Sequence, residues 1–597
     1  LDNFEHVLPA ALLISELLAG CPELVVMATS RERLHLRGER EVHVEPLTLP
    51  SPSDPHYPDS VEALAAVAAI RLFVERADEV RPGFALTTEN APVVTEICRR
   101  LDGLPLAIEL AAAWVRVLPT PALLERLERR LPLLAGGARD LPARQQTLRA
   151  TIAWSYDLLT AEEQTLFRRL AVFVGGGTLE AAEMILGTVE NPISDVLEGI
   201  ASLVDKNLLK QAEETGIEAR YVMLETVRAF GLEQLATSGE ESAIRRQHAA
   251  WYLDLAERAD PVLLNMSPGN DWLWRLVTEQ DNLRAALDWS HQTGDAETFL
   301  RMAGALSMFW YLRSGFGEGR QWLNLALASR APAPASVRAR ALLGAGLLAL
   351  YQGEHEPAGE FLSEALKLYR SLGDDFHAPY SQFLLGVVAE DSGVYDRAAT
   401  LLEEARALFD ATGNQAMVAN SCYHQGIVAW GQRDLVRATT RLEEALELAR
   451  ATGATFVIRW IVERLGIVTS ERGDHSRAAA LLHEALIHGQ TSGDIHAAIS
   501  GLPMLGVLAV ANDQPALAAR LFGATEAIGA PTGQSVIFQL PERTSFEQAV
   551  ASARAKLGPS AFDAAWDAGT RLTLDEAVAE ALAMTQAIIE ARAGLVE

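Results

Sequence analysis

The sequence predicts a mostly α-helical chain of several domains, opening with a partial α/β segment and closing with an α-solenoid. Three observations predict it. The length, 597 residues, exceeds the roughly 250–300 at which a single core stops growing. A forty-residue period runs through the second half. At the front, an apolar segment, a helical pattern and a second apolar segment follow one another in the rhythm of a parallel sheet.

The front segment begins LDNFEHVL, Leu1 to Leu8, with an aspartate where a strand would end. NFEHVLPAALLISELLAGCP reads as a helix with Leu12, Leu13, Leu17 and Leu18 on one face, closed by Gly20-Cys21-Pro22. LVVMATSR, Leu24 to Arg31, reads as a buried strand. Ligands of parallel sheets sit at the carboxyl ends of strands, where Asp2 and Thr29-Ser30-Arg31 fall. An aspartate there can hold a hydrated magnesium, and an arginine can reach a γ-phosphate. The plainer alternative is a helix cap and a solvated loop charge. Further on, RRLDGLPLAIELAAAWVRVL, Arg99 to Leu118, sets Gly103-Leu104-Pro105 between two helical patterns, with Pro105 fixing the first turn of the second.

With these motifs the chain resembles the STAND signalling ATPases, which include the NB-ARC proteins and the large LuxR-type and AfsR-type bacterial regulators. The resemblance implies Asp2 as a magnesium ligand, Arg31 as a phosphate sensor, and Gly103 and Pro105 as the turn against the adenine of ATP or ADP. It continues through RQQTLRATIAWSYDLLTAEEQTLFRRLAVFVGG, Arg144 to Gly176, and SLVDKNLL, Ser202 to Leu209. These are similar to the family's winged-helix domain, which clamps nucleotide and seldom reads DNA. Two departures stand out. No G-x-x-x-x-G-K-[ST] occurs and no lysine precedes Lys206, so the phosphates lack a backbone cradle and its counter-charge. The Gly175-Gly176-Gly177-Thr178 run reads instead as a wing or loop turn. Met223-Leu224-Glu225 stands where many members carry Met-His-Asp, so the histidine role is vacant and Leu224 reads as core. The expectation is a fragment whose phosphate loop lies roughly 60 to 80 residues before Leu1. The intact protein would be a slow regulatory ATPase using ATP/ADP and Mg, while this chain alone holds no cofactor and is inactive.

In the second half, glycine recurs at Gly346, Gly386, Gly426, Gly466 and Gly506, and alanine at Ala358, Ala398, Ala438, Ala478 and Ala518. A second glycine series falls at Gly373, Gly413, Gly453, Gly493 and Gly533, in the same forty-residue step. Each unit reads as two helices, such as YSQFLLGVVAEDSG and DRAATLLEEARALFDATG. The first glycine and the alanine admit close helix approach, and the last glycine caps a helix. No single pair buries its own face, so the units stack. They resemble tetratricopeptide repeats in the long-helix form of maltose-regulator-like proteins. A solenoid offers a binding surface with no chemistry of its own. Tyr380, Asn420 and Trp460 share one register and Phe383 and Tyr423 another, with Trp430 nearby. They are the candidate surface for a small-molecule inducer or a regulatory protein, with packing between repeats as the alternative for each aromatic.

The predicted domains are 1–60, the end of an α/β NTPase domain; 61–135, a helical domain; 136–237, the winged helix; 238–335, a helical lead-in with a degenerate repeat; 336–535, the repeats; and 536–597, a helical C-terminal segment. A formal charge of −28 makes the chain a poor polyanion binder, so DNA would be touched only through an output domain elsewhere. No apolar run is long enough for a membrane span. Three scattered cysteines point to reduced thiols in a cytoplasmic setting, each a small buried hydrophobe. His248 and His424 are isolated on helices and read as structural or surface residues. Glu403-Glu404 and Glu443-Glu444 repeat with the solenoid, which makes them solvated or packing-edge charges rather than an acid/base pair. The leading function is a regulatory switch, in which repeats sense a ligand or protein, a nucleotide module changes state and self-association on activation is possible. The alternatives are a non-catalytic interaction scaffold and the regulatory half of a nucleotide cyclase.

Overall fold

Helices carry most of the described residues, and the strands among them belong to one small sheet near the end of the chain's first third. The computed structural model describes all residues except 2–3, 5–9, 22–23, 31–32, 35, 43, 51–59, 128–147, 188–194, 213–217, 265–270, 330–331, 454, 493–494, 530–539 and 594–597. Asp2 and Arg31 therefore lie outside the described residues. The chain divides into two compact regions, Leu1–Tyr252 with Thr278–Trp289 and Leu253–Val277 with Ser290–Glu597.

The first region opens with a parallel pairing. The Leu1 amine donates to Met27 O at 2.8 Å and Thr29 N–H donates to Leu1 O at 2.9 Å, the two bonds that define a parallel bridge. No continuous strand forms over residues 24–30. The helix Ala11–Gly20 turns Ala11 and Ile14 inward against Phe4, whereas Leu12, Leu13, Leu17 and Leu18 face outward. That reverses the expected face. The helix is apolar on nearly every side, so periodicity alone could not choose the side that meets a partner. Cys21 is likewise exposed, contrary to expectation, while Cys98 and Cys422 are buried.

Helices Ala68–Val80, Ala91–Arg100 and Pro105–Ala112 pack around Phe73, Val94, Ile97 and Ile108. Beyond them come helix Ala161–Leu170, strand β1 (Gly177–Thr178), helices Leu179–Gly187 and Val196–Asp205, strands β2 (Lys210–Gln211) and β3 (Arg220–Val222), and helix Glu225–Ser238. The sheet order is β1-β3-β2, antiparallel throughout, with Thr178 opposite Arg220 and Gln211 opposite Tyr221. Thr160 starts the first of these helices with a reciprocal cap: its hydroxyl accepts from Glu163 N–H and its own N–H donates to Glu163 at 2.8 Å. Gly175 and Gly176 enter β1 with φ of +68° and +86°, as the turn reading requires.

In the second region five helix pairs follow the forty-residue step: Ala335–Tyr351 with His355–Leu372, His377–Asp391 with Tyr395–Ala411, Gln415–Gly431 with Leu435–Thr452, Thr455–Glu471 with His475–Ser492, and Ile495–Ala511 with Pro515–Gly529. One contact recurs in every pair. A Cβ on Gly386 would lie 2.8 Å from Leu402 Cγ, on Gly426 2.7 Å from Leu442 Cγ, on Gly466 2.8 Å from Leu482 Cγ, and on Gly506 2.3 Å from a ring carbon of Phe522. Glycine is there because the partner leucine fills the space of a side chain. A second recurrence, missed in the sequence, is the left-handed residue between the two helices: Gly353, Gly393, Arg433, Gly473 and Asp513. First helices of successive repeats touch one another, and second helices make no comparable contact among the described residues. The first helices therefore line the inner side of the stack.

Candidate functional site

The turn expected to meet adenine is built by two consecutive left-handed residues. Helix Ala91–Arg100 ends, Asp102 and Gly103 adopt φ of +55° and +66°, and Leu104 is extended so that Pro105 starts the next helix. Gly103 is buried, and a Cβ on it would fall 2.3 Å from Leu47 O, whose residue also donates its N–H to Gly103 O at 3.0 Å. Pro105 is exposed.

Asp102, which the sequence did not single out, joins this turn to the far end of the region. Its carboxylate accepts from Thr226 N–H at 3.1 Å and from the Thr226 hydroxyl at 3.2 Å. Helix Glu225–Ser238 begins after Leu224, whose side chain cannot cap it. Asp102 supplies the missing cap from 124 residues away, at the positive end of the helix macrodipole. Burial pushes the Asp102 carboxyl up, and the Thr226 and Glu225 N–H groups oppose that. Met223 is the core residue of the Met223-Leu224-Glu225 triplet; Leu224 is half-buried, which corrects its assignment to the core.

A second polar cluster holds the sheet. Asn282 is fully buried; its amide donates to Gly176 O at 2.9 Å and to Glu279 at 2.8 Å, and its carbonyl accepts from Val174 N–H at 2.7 Å. Its carbonyl also faces His248 Nε2 at 3.2 Å, so that nitrogen carries the proton. Burial holds His248 down at about 4, although the Asn282 bond opposes it. Glu279 accepts from Arg220 at 2.5 Å and from the Tyr252 hydroxyl at 2.9 Å. His248 is thus structural, as read.

The order helix, strand, two helices and a two-stranded wing can be compared with known proteins. Residues 159–236 match the winged helix-turn-helix domain family. A candidate HTH-type transcriptional regulator of Mycobacterium tuberculosis is 40% identical over 388 residues, which cover 63% of this chain and 41% of that protein. An uncharacterized protein of the same organism is 41% identical over 246 residues, covering 41% of this chain and 58% of its own length. The chain thus spans less than two thirds of either relative. Among solved structures it is similar to a STAND protein with a tetratricopeptide repeat sensor from Pyrococcus horikoshii, over 91% of this chain and 78% of that one, at 14% identity and a TM-score of 0.42.

In winged helices that read DNA, the third helix enters the major groove and basic side chains meet phosphates. Here that helix is Val196–Asp205, which contains Glu198 and Asp205 and no basic residue. Lys206 just beyond it is bound to Glu163 at 2.6 Å. Burial would raise Glu163, yet Lys206, Ser202 and the Thr160 N–H hold it at about 2. In the wing, Lys210 pairs with Glu45 at 2.9 Å and Arg220 with Glu279. The third helix is acidic, and the cations of the wing strands pair with carboxylates of the same region.

The exposed Pro105 ring at a helix N-terminus suits a flat apolar contact. Arg99 and Arg228 are bound to Glu96 and Glu225, each at 2.7 Å.

Four of the aromatics expected on a ligand surface are buried: Tyr380, Phe383, Tyr423 and Trp430. Phe383 lies edge-on to His424 at 5.2 Å and stacks with Tyr380 at 6.1 Å, and Trp430 donates to Glu471 at 3.1 Å. They pack neighbouring repeats together, which corrects their reading as open surface. Asn420 and Trp460 are half-buried, and Arg459 lies over the Trp460 ring at 5.8 Å. His424 is also internal, bonded to the fully buried Glu390 at 2.9 Å. The repeated glutamates are packing-edge groups: Gln382 donates to Glu404 and Gln425 to Glu403, both at 2.6 Å.

Proposed function

We propose that this chain is the switching and sensing portion of a bacterial transcription regulator, with the winged helix acting inside the protein rather than on DNA. The observation that carries this is the Asp102 cap on Thr226. A ligand that moves the turn at Gly103 and Pro105 must change the cap on helix Glu225–Ser238, and so couples the turn to the winged helix. ATP or ADP is the ligand we assign to the turn, with Pro105 against the base; Asp2 would hold magnesium and Arg31 would reach the phosphate. The repeats take a small-molecule inducer or a regulatory protein. DNA is reached through an output domain outside the 597 residues. The acidic third helix supports that division, since polyanion binding rests on free Lys and Arg.

Two titrations test the reading on the chain as it stands. Duplex DNA at physiological salt should produce no saturable band shift, and a shift with nanomolar midpoint would overturn the internal role of the winged helix. ATP with magnesium should bind more weakly than micromolar, because the chain contains no phosphate loop; a micromolar Kd would contradict the incomplete-site reading.

A further inference from the structure

The inner side of the repeats is occupied by the chain's own helix Leu540–Leu557. That helix packs against two first helices, Gln415–Gly431 and Ile495–Ala511, and against the last second helix, Pro515–Gly529. Its first turns reach a third, Thr455–Glu471. Glu542, 1% exposed, accepts from Arg464 at 2.9 Å, and the Ser545 hydroxyl donates to Glu471, the residue that also holds Trp430. Arg543 lies close enough to His355 and Asp391 to act on the charge of both. The third to fifth repeats thus meet one short segment, and the basic residue after its carboxylate acts on charges of the first two.

The fit is incomplete on the groove side. Asp391 Oδ1, His355 Nδ1, Arg464 Nε and Thr469 Oγ1 are buried with no hydrogen-bond partner. Interiors rarely leave such groups unmatched, and each costs free energy that a better-matched occupant recovers. The helix also competes from within the same chain, where a tethered segment acts at an effective concentration near millimolar. An incoming peptide must outcompete it.

We propose that the inner face of the second to fifth repeats is a docking groove for a polypeptide segment presenting a carboxylate beside a basic side chain, and that helix Leu540–Leu557 is its built-in, displaceable stand-in. The carboxylate goes to Arg464, as Glu542 does now, and the cation goes to Asp391, whose charge Arg543 already influences. This rests on the sensing role given to the repeats, but it requires neither nucleotide nor DNA, so its test reads neither.

The probe is a fluorescent synthetic peptide spanning 540–557, titrated into the full chain and into the double variant Glu542→Gln, Ser545→Ala. Binding should be at least about tenfold tighter to the double variant, whose own helix is loosened by loss of a buried charge pair. Adding Arg464→Met to that variant, or replacing Glu542 and Arg543 by alanine in the peptide, should remove the gain. Equal affinity for the wild-type chain and the variant overturns the proposal, as does binding that ignores Arg464. Should the variant lose stability as a whole, amide exchange decides: faster exchange confined to 540–557 supports displacement, and equal loss over Gln415–Gly431 shows that the helix is a fixed part of the solenoid and overturns it. An ATP affinity that contradicts the switch leaves these outcomes unchanged.

Discussion

The two regions hold together by different means. The first depends on polar contacts that occur once each: Asp102 on Thr226, Glu163 on Lys206 and Ser202, and Asn282 among Gly176, Glu279, Val174 and His248. The second depends on one apolar contact made again and again, a glycine against a leucine sixteen residues on, as in Gly386 with Leu402 and Gly426 with Leu442. A unique polar contact can be made or broken on its own and so can carry a signal. A repeated apolar one sets a scaffold.

If that contrast is right, the largest single loss comes from the first region. Arg220→Ala leaves the 5%-exposed Glu279 carboxylate without its cation and should cost about 3–5 kcal/mol. Urea unfolding followed by probes in each region should show the loss in the first alone; a shared loss would mean that the two unfold as one.

Acid should then separate the regions by sign. His248 is held at about 4 by burial, below its ordinary 6.5. The unfolded chain therefore binds the extra proton first, and the first region loses about 2 kcal/mol as pH falls from 8 to 5. Asp391 is pushed up to about 7 by burial and by Glu390. Its ionisation in the folded state costs stability above its ordinary value, and this cost is relieved as pH falls through 7. Asp391→Asn should remove that dependence from the second region, and His248→Gln should flatten the opposite one in the first. Thermal melts at pH 8, 6 and 5 measure both.

Smaller effects sharpen the scaffold half. Gly386→Ala and Gly426→Ala force a methyl against leucine and should each cost about 1–3 kcal/mol, nearly equal because the contact is the same. Gly353→Ala meets nothing within 4 Å but sits at φ +77°, and should cost only the left-handed penalty of about 1–2 kcal/mol. Unequal costs at Gly386 and Gly426, read by chemical denaturation, would break the claim of equivalence.

This contrast also explains what was legible beforehand. A contact repeated every forty residues writes itself into the sequence five times, so Gly346 to Gly506 could be read without coordinates. The left-handed series from Gly353 to Asp513 escaped because Arg433 and Asp513 interrupt its glycines. Asp102 escaped because its partner lies 124 residues away and nothing local marks an aspartate as the cap of a distant helix. The registers Tyr380–Asn420–Trp460 and Phe383–Tyr423 were visible, but the burial of Tyr380, Phe383 and Tyr423 depends on neighbouring repeats, which periodicity does not report. On the front helix, apolar residues on every side hid which face would pack.

The central claim is that the turn at Asp102–Pro105 and the start of helix Glu225–Ser238 respond together. The direct measurement is amide exchange at residues 101–106 and 225–228, with and without millimolar ADP and magnesium, in the wild-type chain and in Asp102→Ala. Loss of the cap should cost about 1 kcal/mol. In the wild type, ADP should slow exchange in both segments; in the variant it should slow only 101–106. Protection of 225–228 that survives Asp102→Ala, or none at either segment, would contradict the account.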